Sequence, residues 1–482
     1  MVRILPFPKE CKVVEDVRIV IPNCVFTEKS EWVGHVETFA LQMKKVLRVD
    51  VEYGKGGFVA AFDGSLAPDE YVIDSTSGEF YIYASDKQGL MYGFASVLQM
   101  IDVREGQILK SKKYYIKDRP DKEYRSLMVD LSRNWHPFPQ LLKYVDLCFF
   151  YKVNYLHLHF IDDPRYTLPS KLFPKLPTKG ESYTEEQIKQ LNEYASARGI
   201  NIVPEFECPG HARSINVAYP EIFANESDGE GGKFYNEQGA EISARSLLCA
   251  GSQKAFDATL ALLKEVSDLF PNSKYLHIGG DEATIALWNQ CPHCRSYMEK
   301  NGIKDVYEMY SDYVGRVTDY VLSLGKIPMV WEGFPKSGSE RVSKKTVVIA
   351  WESHYHFADD LLDEGFEIIN ASWQPLYIVP SLKLRWLPED ILRWNVYNWQ
   401  HWWDQSRATL NPITVPATDK VRGSILCAWE MTYEQEVSRV MENLIAMNER
   451  VWNVERRYDD EKYNWFFHSG IYGRAANIML YS

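Results

Sequence analysis

From about residue 119 onward, short apolar runs alternate with amphipathic stretches. The runs are SLMVDLSR (126–133), VNYLHLHF (153–160), INIVPEFE (200–207), YLHIGGDE (275–282), KIPMVWEG (326–333), TVVIAWES (346–353), EIINAS (367–372) and GSILCAWE (423–430). Each reads as a buried strand. The stretches between them, such as EEQIKQLNEYASARG and AFDATLALLKEVSDLF, carry the helical period. Strand then helix, eight times, predicts an α/β chain whose residues 119–482 form a (β/α)8 TIM barrel. The seventh run is the weakest, and a long loop follows it.

Residues 1–118 follow another rhythm. Short alternating strands (VRIVIP, DEYVIDS, EFYIYAS) accompany two helical stretches near Glu31–Leu47 and Lys87–Ile101, which predicts a small α+β domain ahead of the barrel. The charged, proline-bearing segment KDRPDKEY, Lys117 to Tyr124, is the expected junction.

Within the eight runs the polar residues sit at the carboxyl ends. Asp130 and Arg133, His159, Glu205 and Glu207, Asp281 and Glu282, Trp331 and Glu332, Trp351 and Glu352, and Trp429 and Glu430 all fall there. A TIM barrel builds its active site at that face, from the ends of several strands. One strand ending in an acid means little, whereas seven of eight ending in acids, Arg or Trp predict a site.

Composition narrows the chemistry. A net charge of −12 opposes nucleic-acid or acidic-membrane surfaces, which need clustered Lys and Arg. The first twenty residues lack a long apolar stretch and no run reaches a membrane span, so a soluble, cytoplasmic chain is expected. Fourteen Trp, thirty Tyr and twenty-two Phe are ample for a core and for walls that stack sugar rings. The eight cysteines are scattered and read as free thiols. CPHC, Cys291 to Cys294, is half of a zinc pattern, but no second CxxC or HxxxH follows at zinc-finger spacing, so no metal is expected there.

Several chemistries compete for the mouth. His157-Leu158-His159 puts two imidazoles on one strand face, as some metal-dependent barrel hydrolases do, yet strands five, six and eight end in Trp-Glu rather than further ligands. Gly279-Gly280 lacks the continuation of a phosphate loop, and no GxSxG elbow is present. Glycoside hydrolysis fits better, because it needs an acid for the leaving oxygen and a partner for developing positive charge. Two carboxylates adjacent in sequence cannot easily straddle a sugar. The pair makes sense if one protonates while the other supports a nucleophile supplied by the substrate, such as the carbonyl oxygen of a 2-acetamido group.

HIGGDE, with RSLMVDLSR before it, VPEFECPGH between, and GLMYGFASVLQM in the amino-terminal part, resembles glycoside hydrolase family 20, the β-N-acetylhexosaminidases. The resemblance runs from about Tyr81 to Glu430 and implies a small α+β domain followed by a barrel. It implies an exo-acting retaining enzyme that releases terminal GlcNAc or GalNAc without metal or other cofactor. By position, Glu282 would be the general acid and then base, and Asp281 would hold the acetamide nitrogen. Tyr377 would bond the acetamide carbonyl, Trp331, Trp351 and Trp429 would wall the pocket with Trp399 nearby, and Arg133 would grip ring hydroxyls. Asp162 and His211 would form a relay to Glu282, supported by His277 and Glu207. Glu430 follows Trp429 immediately, with Met431 at the place where the family's distal acid usually stands. The partner is then a small glycan or glycoconjugate, and a homodimer is compatible with the charge. A same-family enzyme for a sulfated sugar or a disaccharide unit, and a non-catalytic amino-sugar-binding barrel, are the other readings.

Overall fold

The computed structural model describes residues 2–480 except 105–106, 226–233, 236–240, 243–245 and 458. Eight parallel strands close into a barrel: Tyr124–Asp130, Tyr155–His159, Asn201–Glu205, Tyr275–His277, Ile327–Trp331, Val347–Ala350, Glu367–Asn370 and Val421–Ala428. Pairing of the seventh strand with the eighth, Ile368 opposite Val421, and of the eighth with the first completes the ring. All eight apolar runs therefore become barrel strands, the seventh included.

Helices follow most strands. Helix Glu185–Ala197 starts at a capping box in which Thr184 and Gln187 satisfy each other's backbone N–H groups. Helix Gln253–Leu269 is capped by Ser252. The fifth unit departs from the expected repeat. Residues 332–346 are too few for a helix and its turns, and they form only a 3-10 turn, Ser339–Arg341.

The long seventh loop contains a further short strand, Tyr377–Ile378, which lies parallel to the end of the eighth strand with Tyr377 opposite Cys427. That pairing carries Tyr377 to the carboxyl face of the barrel.

Ahead of the barrel lies an eight-stranded mixed sheet within residues 10–118. Helix Lys87–Met100 packs between this sheet and barrel helix Phe138–Phe150, and its residues from Gly89 to Met100 are all buried. Its largely apolar sequence reflects burial on every side. A Cβ at Gly93 would come within 2.4 Å of Ile82, so glycine permits the close approach of helix to sheet. Polar groups lock the junction: Trp452 Nε1 donates to Asp118 at 3.0 Å, and Gln99 donates to the Phe150 carbonyl at 2.7 Å. Among the described residues no helix is long and apolar enough to cross a membrane.

Candidate active site

The fourth strand ends at His277, and the chain leaves it through Gly279 and Gly280 at φ +69° and +85°. A Cβ at Gly279 would stand 1.8 Å from Glu207 Oε2, so only glycine can turn there above that carboxyl. The Gly279 N–H donates to His277 Nδ1 at 3.0 Å, which fixes the turn from beneath. Glu282 itself has φ +44°, a left-handed conformation that non-glycine residues seldom adopt outside functional sites. The result separates two neighbours in sequence. Asp281 points inward and is 8% exposed, whereas the Glu282 side chain stands at the opening, 51% exposed.

Their environments push their affinities for protons in opposite directions. Burial, reinforced by the charges of Glu282 and Glu205, raises Asp281 to about 7. Burial also acts against ionised Glu282, but hydrogen bonding and charge from His211, with Arg133 beside it, prevail and hold it below the usual glutamate value. Asp281 Oδ1 is buried and has no hydrogen-bond partner among the described residues. A buried carboxylate oxygen without a donor is costly.

Behind the pair runs a chain of alternating acids and imidazoles. Glu282 Oε2 lies 3.3 Å from His211 Nε2, and His211 Nδ1 lies 3.3 Å from Asp162 Oδ1. Asp162 Oδ2 meets His159 Nε2 at 2.9 Å, and His159 Nδ1 meets Glu205 Oε2 at 2.8 Å. Glu205 also contacts His157 Nε2 at 3.0 Å and accepts the Trp331 indole N–H. Burial opposes charge on His211 and His159, yet the flanking carboxylates win and hold both protonated, His159 up to about 10. Glu207 is pushed well above its ordinary value by burial and by Asp281 and Glu205. His277 is lowered by burial to about 4 and is neutral.

Aromatic rings form the wall. Trp331 and Trp429 have centroids 5.8 Å apart, and Trp331 and Trp351 6.5 Å apart at 70°. Tyr377 stacks on Trp351 at 5.8 Å and 11°, with Trp373 on its other side at 5.0 Å and 20°. The Arg133 guanidinium, 5.0 Å from the Trp429 ring centroid, is held by Asp162 at 2.7 Å and Asp130 at 3.3 Å. Asp130 also accepts the Glu430 backbone N–H at 3.2 Å, and the Glu430 side chain is exposed at the rim with φ +61°.

The structure thus brings together Asp281, Glu282, His211, Asp162, Arg133, Trp331, Trp351, Trp429, Tyr377 and Glu430, with Glu207 and His277 beneath the glycine turn. Trp399 is placed differently. It is wholly buried, its indole donates to the Ala350 carbonyl at 2.9 Å, and it belongs to the main core rather than to the mouth cluster. Trp399 supports the sixth strand from behind because the 398–399 strand pairs away from the barrel, with Ile413–Thr414.

Other residues went unassigned in the sequence. Glu332 is buried and accepts backbone N–H groups from Trp351, Ser353, His354, Tyr355 and His356 at 2.8 to 3.4 Å. One carboxylate therefore shapes the whole loop that presents Trp351. Burial and the nearby Glu282 charge push Glu352 up to about 8, with His401 Nε2 3.5 Å away.

Ligand atoms of His157, Glu205 and His277 lie within 4.8 Å of one another, as do those of His159, Glu205 and Glu207. All of these residues are buried, so an ion there would lack the open position a catalytic metal keeps. At the mouth, His211, Asp281 and Glu282 form a further group of this kind.

Comparison with known proteins adds independent findings. The model described as "Glycosyl hydrolase family 20, catalytic domain" matches residues 123–455, and "Glycosyl hydrolase family 20, domain 2" matches residues 2–118. A beta-hexosaminidase of Akkermansia muciniphila is 31% identical over 281 residues, 55% of this chain and 56% of that protein. The match thus spans little more than half of that relative. Beta-hexosaminidase subunit beta of Entamoeba histolytica is 26% identical over 485 residues, covering 92% of this chain and 84% of the relative. Among solved structures, a GH20 exo beta-N-acetylglucosaminidase of Vibrio harveyi superposes with TM-score 0.85 at 20% identity, covering 99% of this chain and 78% of the other. A beta-N-acetylhexosaminidase of Bacteroides fragilis gives TM-score 0.79 at 22% identity, covering 97% and 94%. At such identities the superpositions bear on the fold.

Proposed function

The chain belongs to glycosyl hydrolase family 20, and we propose that its barrel mouth releases terminal β-linked N-acetylglucosamine or N-acetylgalactosamine by retaining, substrate-assisted catalysis. The observation that carries this reading is the buried, donorless Oδ1 of Asp281 beside a wall of indoles. An acetamide supplies what that oxygen lacks, an N–H, and its methyl suits the aromatic wall.

In the first step the acetamide carbonyl oxygen attacks C1 while the C1–O bond to the leaving group breaks. Glu282 gives its proton to the departing oxygen. The resulting oxazolinium ion carries positive charge near nitrogen, where the Asp281 carboxylate accepts the N–H and stabilises it. Tyr377, clamped between Trp351 and Trp373, donates to the carbonyl oxygen and aligns it on C1. Water then attacks C1 from the vacated side, Glu282 takes its proton, and the C1–O bond to the amide breaks. Two inversions give net retention. Arg133 supplies a fork of donors for the hydroxyls of a terminal ring, and Glu430 adds an acceptor at the rim.

In the free site Asp281 is the member of the pair raised to about 7, while Glu282 is held below its ordinary value. The reaction needs the proton on Glu282. An N–H donated to Asp281 favours its ionised form, so substrate binding itself supports the transfer. His211, held cationic by Asp162, stays within reach of both acids at 3.3 and 3.9 Å.

A thiazoline analogue of the bicyclic intermediate tests the proposal. It should inhibit competitively and far more tightly than N-acetylglucosamine, since it resembles the high-energy species. Failure to bind, with turnover of ordinary β-glucosides at equal rate, would overturn it.

A further inference from the structure

Three thiols converge beside the catalytic loop. Cys249 precedes helix Gln253–Leu269, while Cys291 caps helix Pro292–Asn301 and Cys294 lies in its first turn. All three are buried and none forms a disulfide. Cys249 Sγ lies 3.7 Å from Cys291 Sγ and 3.9 Å from Cys294 Sγ, and the three sulfurs lie within 4.8 Å of one another.

A disulfide would need about 2.05 Å and would leave one thiol over. Sulfurs bound to one tetrahedral zinc at about 2.3 Å each stand about 3.8 Å apart. The two measured separations straddle that value. Soft thiolates in tetrahedral array select zinc among common divalent ions.

We propose that Cys249, Cys291 and Cys294 bind one zinc ion that staples the loop following Glu282 to the segment entering helix Gln253–Leu269. Binding releases the three thiol protons and forms three Zn–S bonds. Among the described residues no fourth His, Cys, Asp or Glu atom joins the group. The three thiolates supply the protein's share of a tetrahedral zinc site. The same two segments are already tied by Trp288 Nε1, which donates to the Leu248 carbonyl at 3.0 Å. The ion reinforces that tie and takes no part in sugar chemistry. The proposal stands whichever glycan the mouth accepts.

Full-length protein produced with zinc in the medium and desalted in reducing buffer should carry close to one zinc per chain by elemental mass spectrometry. Replacement by Co²⁺ should give the intense visible bands of a tetrahedral site with sulfur-to-metal charge transfer. A strong chelator should lower the melting midpoint, and added zinc should restore it. Cys294→Ser should lose at least tenfold in zinc affinity; because that variant can misfold, the wild-type metal content and cobalt spectrum stand as independent readings. Wild-type protein that purifies without zinc and melts identically with zinc or chelator would overturn the proposal. So would an intact mass lighter by two hydrogens, which marks a disulfide instead.

Discussion

Replacing Asp281 by Asn should move the alkaline limb of activity. In the wild type the acidic pair keeps its single proton up to about 7, the value at which Asp281 is held. Without a second carboxyl, the proton needed by the leaving group depends on Glu282 alone, which His211 and Arg133 hold below the usual glutamate value of about 4.3. At pH 6 a group with pKa about 7 is about 90% protonated, whereas His211 and Arg133 favour the ionised form of Glu282. Loss of the shared proton then lowers kcat/KM at pH 6 by up to the ~10²-fold that a positioned acid contributes, beyond the loss of the acetamide contact. As pH falls toward 4 Glu282 takes up its own proton, so the mutant should recover on the order of tenfold relative to wild type between pH 6 and 4. The assay is kcat/KM on an alkyl N-acetyl-β-glucosaminide, whose poor leaving group needs the acid. A mutant-to-wild-type ratio that stays constant across this range would refute the shared-proton reasoning.

Glu282→Gln should reduce kcat/KM by ~10²–10⁴-fold on the same substrate and far less on an aryl glycoside that departs without a proton; equal losses on both would assign Glu282 another role. Glu332→Ala leaves five backbone N–H groups without their acceptor, and at about 1–3 kcal/mol for one stranded buried donor, urea denaturation should show a loss on the order of 3 kcal/mol. A loss below about 1 kcal/mol would mean the loop does not depend on that carboxylate. Stability should also fall with rising pH. His159 in the folded protein is held up to about 10 against an ordinary value near 6.5. Its contribution is fully present below about 6.5 and is lost as pH rises through 10. Urea midpoints measured from pH 6.5 to 10 should decline, and a rise over that window would contradict the charged relay.

The barrel was legible because each strand, buried on both faces, reads as a nearly continuous apolar run. The acids at the strand ends were legible for a related reason: an acid terminating such a run must emerge at the carboxyl face. Which acids face inward was not legible where the chain turns through left-handed residues. Asp281 and Glu282 look alike in sequence, and Gly279, Gly280 and the φ of Glu282 decide that one is buried and the other stands at the opening. The missing helix of the fifth unit escaped because a repeat seven times fulfilled invites an eighth. The family resemblance implies Trp399 near the wall, and no pattern in the sequence showed that its indole donates to the Ala350 carbonyl. Tyr377 reaches the mouth through two residues of strand pairing with the eighth strand, too short a segment for any periodicity to announce. Cys249 could not be matched to Cys291 and Cys294 by spacing, since helix Gln253–Leu269 and the fourth strand lie between them.

The participation of the substrate's own amide is tested most directly by weakening that amide. A series of β-glucosaminides whose N-acyl group carries none, one, two or three fluorines on the methyl carbon draws electrons progressively from the carbonyl oxygen while scarcely changing its size. If that oxygen attacks C1, kcat must fall steeply and monotonically along the series. A rate indifferent to fluorination would show that the nucleophile comes from elsewhere.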